Sequence, residues 1–206
     1  MKDVHLFVEG DADKKFLQDL IKHITPGQKD AVNIDICGGW TKLHSKKNEG
    51  EAIRNQMKKN SDNDIVNLVI FDADIDFNSR KEEILEWRKK YQLDFELFLL
   101  PDNNSSGNLE TLLEQLFSQN NRPIIDCWDG YLESLRSKTL QGRDTPLTLP
   151  PTKAKIYAYL ETLAGESKSE KEKIKEKNRD YLDHTIWNLD SHPLSSLKSF
   201  LKKVIL

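Results

Sequence analysis

The chain has 206 residues, 32% of them charged, and a formal net charge of −3. That length suits one α/β domain, or one such domain with a helical annex, and it buries a core without staples. Acids and bases are balanced, which excludes a uniformly basic nucleic-acid binder and leaves any such contact to a local basic patch.

The first apolar run, Val4 to Val8, predicts a strand. A helical stripe of Phe16, Leu17, Leu20, Ile21 and Ile24 follows, stopped by Pro26-Gly27. Val32 to Ile36 predicts a second strand, and Glu51 to Lys59 a weaker helix with Ile53 and Met57 on its apolar side. Val66 to Phe71 is almost wholly apolar, the pattern of a strand covered on both faces. Lys81 to Tyr91 then carries Ile84, Leu85, Trp87 and Tyr91 at helical spacing. Phe95 to Leu100 predicts a fourth strand, and Leu109 to Phe117 a helix buried through Leu109, Leu112, Leu113 and Leu116. This fourfold strand–helix alternation predicts an α/β fold, a four-stranded parallel sheet flanked by helices and joined by right-handed crossovers.

The strand pattern ends after Asn120. Residues 1–122 are therefore assigned to the α/β domain, and 123–206 to a mostly helical extension packed on it. Its expected helices are Ile124 to Ser137, Lys153 to Leu163, Glu170 to Thr185 and Leu197 to Val204. Gln141 to Pro151 is a loop, broken by Gly142, Pro146, Pro150 and Pro151. Ser167 to Lys177, rich in lysine and glutamate, reads as a solvated helix face. Trp128, Trp187, Tyr157 and Tyr159 are assigned to the core of the extension.

Cys37 and Cys127 lie far apart and form no CxxC, so neither a disulfide framework nor a zinc site is expected. His5, His44, His184 and His192 show no ligand spacing. No apolar run approaches the ~20 residues that span a bilayer. Met1-Lys2-Asp3 leads straight into a short apolar run that stops at an acid, which is not the layout of a signal peptide. A cytoplasmic protein with no membrane contact is expected.

In an open parallel sheet, ligands bind beyond the carboxyl ends of the strands. The first run ends in Glu9-Gly10-Asp11-Ala12-Asp13, the third in Asp72-Ala73-Asp74-Ile75-Asp76 and the fourth in Pro101-Asp102-Asn103-Asn104. Clustered carboxylates resist ionising together, and a divalent cation removes that penalty. Oxygen donors without sulfur or histidine favour magnesium, manganese or calcium over zinc. Asp72 and Asp74, two apart on an extended backbone, are expected to point to one side, with Glu9 approaching from a neighbouring strand and Gly10 easing a tight turn. Asp11 and Asp13 also suit a helix start.

Val8-Glu9-Gly10, followed by Asp72-Ala73-Asp74 after an apolar strand, resembles the TOPRIM domain of topoisomerases, primases, recombination-repair proteins and OLD-type nucleases. Asp13, four residues after Glu9, looks like the second acid of the OLD-type variant. Leu100-Pro101-Asp102-Asn103, Gly107-Asn108-Leu109-Glu110, Lys153-Ala154-Lys155 and Trp187-Asn188-Leu189-Asp190 look like a small group of stand-alone TOPRIM-like proteins. The resemblance implies magnesium (or manganese) held by Glu9, Asp72 and Asp74, with Asp13 and Glu110 at a second metal position. It implies Glu9 as general acid or base in strand cleavage or joining. Lys153 and Lys155 follow the proline-rich loop and either reach a phosphate as stabilisers of transition-state charge, Lys153 as a catalytic residue, or simply start a solvated helix; Gly10 is the further expected phosphate contact. DNA or RNA is then the expected substrate.

The chain departs from the better-known members. Topoisomerases also use a tyrosine nucleophile in another domain, primases a zinc module, and OLD proteins an ATPase, whereas no GxxxxGK[ST] loop occurs here. A metal-binding module without catalysis, recruited by a partner ATPase or nucleic-acid-binding protein, is therefore a second expectation. Leu68 to Asp74 also resembles the opening motif of haloacid-dehalogenase-type phosphatases, but that chemistry needs a later strand ending in Ser or Thr and leaves Glu9 unexplained. Asp72 to Glu83 mimics a calcium loop, with Phe77 standing where the sharp-turn glycine belongs.

Overall fold

In a computed structural model, which describes residues 3–27, 32–44 and 48–206, the four apolar runs form one sheet. Strands β1 (Val4–Val8), β2 (Val32–Ile36), β3 (Val66–Asp72) and β4 (Glu96–Leu100) are all parallel, in the order β2-β1-β3-β4. The two central strands are the most completely buried, because a central parallel strand is covered on both faces. Edge strand β2 leaves Asn33, Asp35 and Ile36 exposed.

Side chains alternate across this sheet and divide the core into two layers. Leu6, Val8, Leu68, Ile70, Phe98 and Leu100 face one layer, with α1 (Asp11–Ile24) and α5 (Leu109–Leu113). Phe7, Val69, Phe71 and Leu99 face the other, where Leu43 of α2 (Trp40–Leu43), Met57 of α3 (Asn48–Asp62) and Ile84 and Trp87 of α4 (Phe77–Tyr91) cover them. The fold is thus α/β, a parallel sheet flanked by helices, as the alternation predicts.

The C-terminal part adds α6 (Arg122–Arg136), α7 (Thr152–Leu163), α8 (Lys168–Ile174) and α9 (Ser195–Ile205). It builds no second core. Ile156, Tyr159, Leu160, Trp187, Leu197 and Leu201 belong to the same cluster as β1 and α1. Tyr159 and Trp187 are core residues as expected, whereas Trp128 is half-buried on α6. An isolated antiparallel bridge pairs Phe117 with Trp187, with Ser118 N donating to Ile186 O at 2.9 Å and Asn188 N to Leu116 O at 2.6 Å.

That bridge explains one departure from expectation. The helix expected to reach Phe117 stops at Leu113: Gln115 N and Leu116 N tighten onto the Leu112 and Leu113 carbonyls, and Leu116 O and Ser118 N are then engaged by residues 188 and 186. The helix expected over Glu170 to Thr185 is also shorter, ending at Ile174. Arg179 Nε donates to the Ile174 carbonyl at 3.0 Å, capping that end, and Tyr181 N donates to Asp19 Oδ2 at 2.9 Å. The weak helix expected from Glu51 begins earlier, at Asn48, and runs on to Asp62.

Asp19 is the buried clamp between α1 and the extension. Its carboxylate accepts Lys15 Nζ at 2.7 Å as well as the Tyr181 amide. Asp19→Asn keeps an acceptor for that amide but removes the charge facing Lys15. It is expected to cost about 1–2 kcal/mol, read as a lower midpoint in urea unfolding with the slope unchanged. Among the described residues no helix is long and apolar enough to cross a membrane.

Candidate functional site

The carboxyl edge of the sheet gathers the acids by register. Val8 pairs with Ile70, so Glu9 leaves β1 while β3 continues to Asp72. The Glu9 side chain crosses that step, and Oε1 accepts the Asp72 amide at 3.2 Å. On the far side lies the turn after β2, where Gly38 N donates to Glu9 O at 3.0 Å. A Cβ on Gly39, whose φ is +85°, would stand 3.5 Å from Glu9 Oε2. Asp72 Oδ1 accepts the Leu109 amide at 2.9 Å, which draws the start of α5 and its Glu110 over the same edge.

Glu9, Asp13, Asp72 and Glu110 consequently lie in one another's field. Burial first, then Asp13 and Glu9, pushes Asp72 up to about 8. Burial, and then the charges of Glu9 and Glu110, pushes Asp13 up to about 7. Glu9 is raised as well, by burial above all and by Asp74, against the opposing pull of the Asp72 amide and Arg80. Such a part-buried group of acids, with the proton affinity of Glu9, Asp13 and Asp72 raised, is a place where a cation is favoured.

Three expectations need correction in detail. Asp74 does not continue the extended alternation of Asp72: its φ is +54°, in the left-handed region, and its backbone is locked to Gly107 by two hydrogen bonds of 2.8 Å. Its half-exposed carboxylate is held by the Arg80 guanidinium. The chain does bend sharply from β1 into α1 at Glu9 and Gly10, but with a φ of −150° that any residue adopts, and the Gly10 amide donates to Asp13 Oδ2 at 2.9 Å. Asp13, not Asp11, thus caps α1. Lys153 and Lys155 part company because residues two apart on a helix face different ways. Lys153 Nζ pairs with Glu176 at 2.6 Å and lies in the field of Glu110, whereas Lys155 Nζ pairs with Asp129 of α6 at 3.0 Å.

Other acids at the strand ends have structural work. Asp76 caps α4 by accepting the Ser79 amide at 3.0 Å, and Asp102 closes its own turn by accepting from Asn104 N and Ser105 N. β4 ends at Leu100, joined to Pro101 by a cis bond. Arg80 and Glu176 are the site-edge residues that the motifs do not reveal. Arg80 stands six residues after Asp74 in the first turns of α4, and Glu176 lies in the solvated lysine–glutamate run. Cys37, pushed up to about 12 by burial and by the charges of Asp35 and Glu9, is an inert thiol beside the site.

Among the described residues no three carboxylate, histidine or cysteine side chains stand ready-made around a metal position. The reason is visible in the partners: Asp13 is turned to Gly10, Asp72 to Leu109 and Asp74 to Arg80. The donor chemistry nevertheless fits a hard divalent cation, because every candidate is a carboxylate oxygen and the burial of Asp13 and Asp72 is uncompensated by a lysine or arginine.

A family model described as a protein of unknown function, DUF3226, matches residues 3–206. No curated protein and no solved structure matches the chain.

Proposed function

We propose that this chain, which belongs to the DUF3226 family, is a divalent-cation-dependent phosphodiesterase acting on nucleic acid in the cytoplasm, of the TOPRIM class its motifs resemble. One observation carries the reading: Glu9 is hydrogen-bonded across the sheet edge to the Asp72 amide, with Asp13 and Glu110 closing on the same edge. Helix capping accounts for Asp13 and Asp76 but leaves the part-buried Glu9 and Asp72, whose proton affinity burial raises, without a structural role for their charge.

In this reading Asp72 and Asp74 hold magnesium or manganese, with Asp13 and Glu110 beside them. The metal, when bound, supplies a Lewis acid and lowers the pKa of water at the site. Glu9 accepts or returns the proton that moves during cleavage, which suits a carboxyl whose proton affinity is raised by burial. Lys153, on the Glu110 side, contributes positive field toward the scissile phosphate.

The second reading is a metal-binding module without catalysis that a partner ATPase or nucleic-acid-binding protein recruits. The net charge of −3, without a basic excess to grip a phosphate backbone, favours it. The deciding experiment incubates the purified protein with Mg²⁺ or Mn²⁺ and single-stranded, duplex and supercoiled DNA and RNA, with Glu9→Gln as control. Metal-dependent cleavage that Glu9→Gln abolishes supports the enzyme. Absence of cleavage on every substrate, with Mn²⁺ binding retained, moves the assignment to the module.

A further inference from the structure

Arg80 stands where neither helix physics nor the TOPRIM-like motif asks for it. It follows the N-cap Asp76 by four residues, and the first turn of α4 holds no acidic residue. A cation at this end faces the positive pole of the helix, which is the unfavourable end. What holds it there is the acid site. The guanidinium pairs through Nη2 with Asp74 and through Nη1 with Glu83 at 3.2 Å. Its Cζ lies 5.8 Å from the ring centroid of Trp40, the residue next to Gly39, which itself abuts Glu9. The side chain is 17% exposed, so the charge is largely withdrawn from water. Its Nε is buried and donates to nothing.

Arg80 therefore reaches into the carboxylate cluster from α4, occupies Asp74, and retains an unused donor in a planar fork suited to a phosphate. Asp74 cannot present Oδ2 to a metal while the guanidinium holds it. We propose that Arg80 is a resident counter-cation, which a divalent metal displaces from Asp74, and that the freed guanidinium then grips a phosphate of the nucleic acid. The inference rests on the metal-dependent reading above and adds a competitor and a substrate-binding residue to it. The exchange is one of partners only: Asp74 trades an arginine for a metal, and Arg80 trades a carboxylate for a phosphate of the same charge sign. Trp40 and Glu83 remain beside the guanidinium and limit how far it has to move.

The test is a titration with Mn²⁺ alone, followed by electron paramagnetic resonance, on the parent, Arg80→Gln and Arg80→Lys. Removing a partly exposed competing ion pair should tighten Mn²⁺ binding by about three- to tenfold in Arg80→Gln. Arg80→Lys keeps the charge and should stay nearer the parent. A single-stranded oligonucleotide, added at saturating Mn²⁺, should bind Arg80→Gln about tenfold more weakly, through loss of a charge-assisted contact. Opposite movement of the two affinities supports the proposal, since a merely structural arginine would weaken both or neither. If the parent binds Mn²⁺ and Arg80→Gln binds it no more tightly, the counter-cation role is overturned and the metal site stands. Tighter Mn²⁺ with unchanged oligonucleotide affinity overturns the phosphate-gripping role. If no form binds Mn²⁺, the metal-dependent reading itself falls, and this inference with it.

Discussion

If the chain is the proposed phosphodiesterase, Glu9→Gln is expected to lower cleavage by about 10²–10⁴-fold, the usual contribution of a general acid or base, while Mn²⁺ affinity changes by no more than about tenfold. The asymmetry follows from how the side chain is held. Oε1 accepts the Asp72 amide at 3.2 Å, and a glutamine oxygen can accept the same bond. Shape, volume and the step between β1 and β3 are therefore kept, and only the titrating proton is lost. Asp72 and Asp74 remain as ligands. In the parent, cleavage at saturating metal rises with pH through the Glu9 titration if the carboxylate is the base. Glu9→Gln removes that limb of the profile. Single-turnover cleavage across a pH series, beside an Mn²⁺ titration, checks both halves. A variant that cleaves as fast as the parent would show that the proton passes elsewhere.

The fold was readable because two physical signals agree. Val66 to Phe71 is apolar but for Asn67, which marks a strand buried on both faces, and β3 is such a strand at the sheet centre. The stripe of Phe16, Leu17 and Leu20 marks one buried face of α1, and those residues have no exposed surface. What failed to show was where tertiary contacts take over the backbone. Leu116 O accepts from Asn188 N and Ser118 N donates to Ile186 O, some seventy positions away, so no local pattern could announce where the chain leaves α5. Tyr181 is drawn to Asp19 in the same way.

The site was legible to the extent that it follows strand ends. Glu9 and Asp72 are fixed by the register of β1 against β3, which apolar runs reveal. Asp74 was misread because side-chain alternation holds only while the backbone is extended, and its φ of +54° ends that regime one residue past Ala73. Lys155 was grouped with Lys153 on sequence proximity, although their helix sends the two to different partners, Asp129 and Glu176. Arg80 belongs to a helix that reads as ordinary surface, and only the tertiary packing of α4 against Trp40 brings it to the acids.

Asp72→Asn is expected to raise the stability of the metal-free protein at pH 8 by about 2–3 kcal/mol, well below the ceiling of roughly 5–6 kcal/mol that a rise from 3.8 to about 8 would allow at about 1.36 kcal/mol per pKa unit. The sign comes from linkage. Asp72 and Asp13 have ordinary values of 3.8 and are pushed up to about 8 and about 7 in the folded chain, burial being the main cause for each. The folded state thus binds protons that the unfolded state releases, and stability falls as pH rises wherever that is so. The contribution of these carboxyls is fully present below about pH 4 and is lost as pH climbs through about 7 to 8. Because the two acids are coupled, they titrate as a pair and the loss is spread over that range. Asparagine removes one charge, still offers Oδ1 to the Leu109 amide, and takes the coupling away from Asp13. At pH 4, where the parent carboxyl is protonated, parent and variant should unfold at nearly the same denaturant midpoint. Divalent metal should reverse the order at pH 8. At a hundredfold excess over its dissociation constant it stabilises the parent by about 2.7 kcal/mol, whereas Asp72→Asn, short of a principal ligand, gains little. Urea unfolding at pH 4, 6 and 8, with chelator or with 10 mM Mg²⁺ (an excess of roughly a hundredfold for a site of ~0.1 mM affinity), measures all of this. A parent no less stable at pH 8 than at pH 4, and unmoved by Mg²⁺, would mean that the carboxylates at this sheet edge are neither strained by burial nor relieved by a cation.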